Sequence, residues 1–134
     1  YEIYQCDWSS DVCSSDLDAF PKLDVVLPHA GGITPILIGR WDHGSSVRPE
    51  TKHMTKPPSS YLRRFHYDTI SHSPSIMATI IKQVGADRVV LGSDHPADMS
   101  LERPVDFVES IPDLSRNDRE LILGGNAKRL LRLA

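Results

Sequence analysis

The sequence predicts an α/β fold built on a parallel sheet, and three observations carry that expectation. VVLPHAGG at 25–32 and RVVLGSDHP at 88–96 are each a short apolar run that breaks into small residues, an ionisable side chain and a proline. A strand buried on both faces reads as a continuous hydrophobic run, and α/β folds carry their chemistry at its carboxyl end. FHYDTISHSP at 65–74 is a third run, aromatic and β-branched up to His72. Between the second and third strands, Met77, Ile80, Ile81 and Val84 recur at helical spacing. Alternating strands and helices at this distance predict right-handed βαβ units. Three strands are too few to stand as a parallel sheet covered on both faces, so the chain reads as one portion of a larger α/β fold.

Each element has its own signal. DAFPKL at 18–23 reads as a helix end and a turn, because Pro21 disfavours continuation. The first strand spans 24–27. ITPILIGRWDHG follows, with Pro35 suited to a first helical turn. Residues 45–60 carry three prolines and few apolar side chains, which predicts a loop. The second strand spans 64–70. Ser73 is then an N-cap before an N1 proline, and Gly85 ends that helix. The third strand spans 88–92. Ser115 caps a helix expected to stop at Gly124-Gly125, leaving Asn126 to cap a last helix, AKRLLRL.

Composition narrows the functional classes. With 134 residues, 40% hydrophobic and 25% charged, the chain is globular in character. A net charge of -3 with scattered basic residues gives no footprint for nucleic acid. No apolar run reaches the ~18 residues of a membrane span, and no signal peptide is evident, so a cytoplasmic protein is expected.

Residues 1–17, YEIYQCDWSSDVCSSDL, hold both cysteines in a Ser/Asp-rich string without periodicity. Cys6 and Cys13 are compatible with a disulfide or half a zinc site, but no second pair follows, which excludes a four-cysteine zinc site. DWSSDVCSSDL reads as the conceptual translation of a common sequencing-library adapter. The expectation is a non-native leader at 1–17 and a biological sequence from Asp18, in which 14 acidic residues face 15 basic ones once Glu2, Asp7, Asp11 and Asp16 are set aside.

The ordered series PHAGG, GRWDHG, SVRPE, YLRRFHYDTISHSP, GADRVVLGSDHP and GGNAKRLLRL resembles the carboxyl-terminal part of the amidohydrolase-related family over residues 18–134. Within it, decarboxylases of the 2-amino-3-carboxymuconate-6-semialdehyde type are the most similar. The resemblance implies a (β/α)8 TIM barrel, of which this chain supplies strands six to eight, and a divalent metal, zinc by preference or manganese. It implies that His29 is the catalytic general acid and base, a task that suits an imidazole. Asp94 would be a metal ligand, for which a carboxylate is a suitable oxygen donor. Arg40 would hold a substrate carboxylate from a neighbouring subunit through two parallel hydrogen bonds. His72 would give a supporting hydrogen bond, and His43 would support its loop or a dimer contact. Each residue also has a plainer reading: a strand-end cap for His29, a turn carboxylate for Asp94, a surface ion pair for Arg40. His95 stands where close relatives often have an aromatic residue and is given no role. His53 and His66 read as surface or strand residues.

The family's first-strand His-x-His or Glu-x-His pair and its fifth-strand histidine do not occur in this chain. One carboxylate cannot hold a catalytic metal against water, so the chain alone is expected to be inactive. The expected parent is a homodimer or higher homo-oligomer acting on a small carboxylic acid by non-oxidative decarboxylation. Two alternatives stand beside it: a metal-dependent hydrolase of the same superfamily, and a non-enzymatic α/β module that binds a small acid or a partner at its sheet edge.

Overall fold

The computed structural model describes residues 17–52, 54 and 56–133. The expected leader up to residue 16, with its two cysteines, and His53 lie outside the described residues. Two compact units divide the rest. One combines residues 17–23 with 33–64; the other combines 24–32 with 65–133 and contains the sheet.

The sheet unit has three parallel strands in the order β1 (Val25–Leu27), β2 (Phe65–Asp68) and β3 (Val89–Val90). Val25 pairs with Phe65, Leu27 with Tyr67, and Asp68 with Val90, so all three strands point the same way and finish at nearly the same level. β2 is central and wholly buried. β1 departs from the expectation of burial on both faces: Val26 is 46% exposed, because an edge strand with one sheet neighbour has one flank uncovered.

α2 (Pro74–Val84) links β2 to β3. The Ser73 hydroxyl accepts from the Ile76 N–H, Pro74 occupies the first turn, and Gly85 at φ 92 ends the helix. Met77, Ile80, Ile81 and Val84 are buried, as their spacing predicts. α3 (Pro104–Glu109) and α4 (Arg116–Glu120) follow, the latter capped by Ser115 accepting from the Asp118 N–H.

The expected stop at Gly124-Gly125 does not occur. The chain runs from α4 through a π-helical turn, Leu121–Gly125, into α5 (Asn126–Leu130), with Gly125 at helical φ -56 and ψ -43. Nor is Asn126 an N-cap. It is fully buried, and its amide donates to the carbonyls of Ala86 at 2.7 Å and Val89 at 2.6 Å. The wide turn buries Ile122, whose carbonyl accepts from the Leu91 N–H, and the helix gains more from these ties to β3 than the glycines lose in propensity.

In the other unit, α1 (Thr34–Val47) runs three residues into the expected loop. The Ser45 and Ser46 hydroxyls donate back to the carbonyls of Asp42 and His43, and the Arg48 N–H closes on Gly44. Such back-bonding holds a last turn that Ser-rich sequence does not advertise. Asp42 also accepts from the Ser59 N–H at 2.8 Å, folding the Pro-rich stretch back onto α1. Among the described residues, no helix is long and apolar enough to cross a membrane.

Candidate active site

The carboxyl ends of the three strands build the site. After β1, Pro28 is extended, then His29 and Ala30 both adopt left-handed backbone at φ 54. Two consecutive non-glycine residues in this region store strain of about 1–3 kcal/mol each, which persists only when the surroundings hold it. Asp68, at the end of β2, holds it. Its Oδ2 accepts from the His29 N–H at 3.0 Å, and its Oδ1 accepts from the Ala30 N–H at 2.7 Å and the Ile70 N–H at 3.0 Å.

The end of β3 is tied to β2 just as closely. The Thr69 hydroxyl accepts from the Gly92 N–H at 3.1 Å and donates to the Gly92 carbonyl at 3.3 Å. A side chain at position 92 would begin 3.0 Å from Asp68 Cβ, so a larger residue there would force Asp68 to give by a few tenths of an ångström. Two residues later Asp94 is again left-handed, at φ 62. Its Oδ2 lies 3.8 Å from His29 Nε2, with the side chains 32% and 63% exposed respectively. Residues 65 positions apart in sequence are thereby brought together as an imidazole beside a carboxylate. His72, at φ 52, is the third strand-end residue in strained backbone, and its imidazole is exposed.

An oxygen and an imidazole nitrogen suit a divalent metal, and Asp94 could hold one with His29 alongside. Among the described residues no group of three His, Cys, Asp or Glu side chains comes together.

Arg40 and His43 belong to the other unit, are exposed, and line a groove of about 220 Å³ with Trp41, Gly44 and Arg48. His95 is exposed. His66 is a strand residue, buried on β2 with Nδ1 lacking a partner among the described residues. Burial, and secondarily the positive charge of Arg88, lowers its pKa below the ordinary histidine value.

Comparison with known proteins places this geometry. The family model described as Amidohydrolase matches residues 12–133. The chain belongs to that family. Its match starts within the stretch expected as a leader, and Leu17, the last residue of that stretch, is buried. The 2-amino-3-carboxymuconate-6-semialdehyde decarboxylase of Dictyostelium discoideum is 34% identical over 115 residues, covering 84% of this chain and 32% of that protein. The crystal structure of 5-carboxyvanillate decarboxylase from Sphingomonas paucimobilis superposes with a TM-score of 0.78 at 28% identity, over 90% of this chain and 37% of that one. A dihydroxybenzoic acid decarboxylase from Polaromonas, solved with manganese and the inhibitor 2-nitroresorcinol, gives 0.74 at 26% identity, over 87% of this chain and 36% of that one. The chain spans about a third of the length of the curated relatives it matches. Its three parallel strands and their helices are a portion of the amidohydrolase (β/α)8 barrel.

Sequence reasoning passed over Asp68. It stood in the quoted FHYDTISHSP run, and the available signal was a carboxylate closing an otherwise buried central strand, where an unpartnered charge would be costly.

Proposed function

We propose that the complete protein is a metal-dependent, non-oxidative decarboxylase of a small carboxylic acid. The observation that carries this reading is the meeting of His29 and Asp94, 3.8 Å apart, at the carboxyl ends of β1 and β3. The decarboxylase relatives support it. In this reaction the bond between a substrate carbon and its carboxylate breaks, carbon dioxide leaves, and a proton takes its place on that carbon. His29 is the proton donor and Asp94 a metal ligand. The metal, zinc or manganese, supplies Lewis acidity when bound. Arg40 pairs with a substrate carboxylate and, in a homodimer or higher homo-oligomer, serves the neighbouring subunit; this role rests on the GRWDHG resemblance. The 134 residues by themselves are inactive, since one carboxylate ligand leaves a metal site incomplete.

The test is carbon dioxide release by the complete protein, stripped of metal and reloaded with zinc or manganese, against a panel of hydroxybenzoates and aminocarboxymuconate-type acids. Carbon dioxide from one of them with metal restored is expected. Ester or lactone hydrolysis without carbon dioxide would move the assignment to a hydrolase. Mixing Arg40→Ala with His29→Ala chains tests the shared site: a statistical mixture of dimers should recover about a quarter of wild-type activity from two inactive parents, and no recovery would place Arg40 in its own subunit's site or outside catalysis.

A further inference from the structure

We propose that Asp68 is a positioning residue of this site, aiming His29 through the backbone of the turn that carries it; the proposal rests on the reading of His29 as the proton donor. Asp68 is 8% exposed, and its carboxylate accepts from three backbone N–H groups. Two of the three come from consecutive residues on a different strand's exit. Successive N–H groups in a tight turn converge into a concavity that fits an anion, and the paired left-handed conformations of His29 and Ala30 create such a concavity around this carboxylate.

The arrangement needs both carboxylate oxygens, because Oδ2 serves His29 while Oδ1 serves Ala30 and Ile70. An asparagine of the same shape offers one acceptor and one amide. With its oxygen toward Ala30 and Ile70 it turns N–H against the His29 N–H, and that one tie is lost while the others persist. Asp68 sits on the central strand, and a Cβ at position 92 would fall 3.0 Å from its own Cβ, closer than such atoms ordinarily approach. Gly92 is joined to Asp94 by one residue. Asp68 therefore sets the relative position of the two side chains that meet at the site, without touching either.

The test compares two buried hydrogen-bonding side chains in the complete protein. Asp68→Asn should lower kcat by about 10- to 100-fold, leave KM within about twofold, and shift the backbone amide resonances of His29 and Ala30 in spectra of protein labelled with 15N-histidine and 15N-alanine. Asn126→Ala, which cuts ties of similar number away from the site, should lower the melting temperature and leave kcat unchanged. Should Asp68→Asn not fold, Gly92→Ala displaces the carboxylate from outside, and a severalfold fall in kcat is expected. Unchanged kcat in the folded variant, a kcat loss that Asn126→Ala reproduces, or unmoved amides would each overturn the proposal. If the wild-type protein releases no carbon dioxide, the decarboxylase reading falls, and the amide resonances alone decide the clamp: shifted they sustain it, unmoved they end it.

Discussion

The two ends of the same three strands are built on opposite terms. At the carboxyl ends His29 and His72 are exposed and Asp94 is 32% exposed, all three in left-handed backbone, beside the buried Asp68 and Thr69. Toward the amino ends the polar groups are buried: Asn126 binds the carbonyls that flank the entry to β3, and Arg129 in turn donates to the Asn126 oxygen at 2.9 Å. His66, on the amino half of β2, is buried, and burial lowers its pKa below the ordinary histidine value. Parallel strands make this division possible, because all exits gather on one side. One end stores strain to present side chains, and the other end supplies stability.

The sharpest way to break this contrast is His29→Gly in the complete protein. Losing the proton donor should lower kcat by about 100- to 10,000-fold, while relief of the left-handed strain should raise stability by about 0.5–1 kcal/mol. Steady-state kinetics and urea melts of the same preparation read both effects; a destabilised variant would show that the turn is not under strain. Asn126→Ala should do the reverse. It leaves the Ala86 and Val89 carbonyls buried without their donor, costing about 2–4 kcal/mol, with kcat unchanged below the new melting range. A kcat loss there would join the two ends into one functional unit.

The smallest effect is a dependence on pH. Burial disfavours the imidazolium form of His66, so its pKa in the fold lies below the ordinary 6.5. The unfolded chain then binds the proton more readily. The stability that His66 contributes is fully present above pH 6.5 and is lost as the pH falls through the lowered folded value. Melts between pH 7.5 and 5.5 should show a shallower acid loss for His66→Leu than for wild type, and parallel curves would remove His66 from the account.

The strand exits were legible because their chemistry is local. An apolar run that stops at histidine or aspartate among small residues is visible in one dimension, and so are the Ser73 cap and the buried stripe of α2. The family resemblance came from the order of such motifs and needed no contact. Asp68 was passed over and Asn126 misread for one shared reason: each finds deciding partners about 40 residues away, so its neighbours in the chain do not say which turn the carboxylate clamps or which carbonyls the amide binds. The Gly124-Gly125 stop failed in the same manner, since ties to β3 outweighed a local propensity.

By itself, then, the sequence determined the fold class, the direction in which the strands point and the residue types waiting at their ends, because periodicity, caps and breakers act over a few residues. Only the tertiary structure decided which of those residues meet. His29 reaches Asp94 because Asp68 on the strand between them bends one exit into left-handed backbone and Gly92 lets the other approach, and close packing across a sheet has no counterpart in the linear chain.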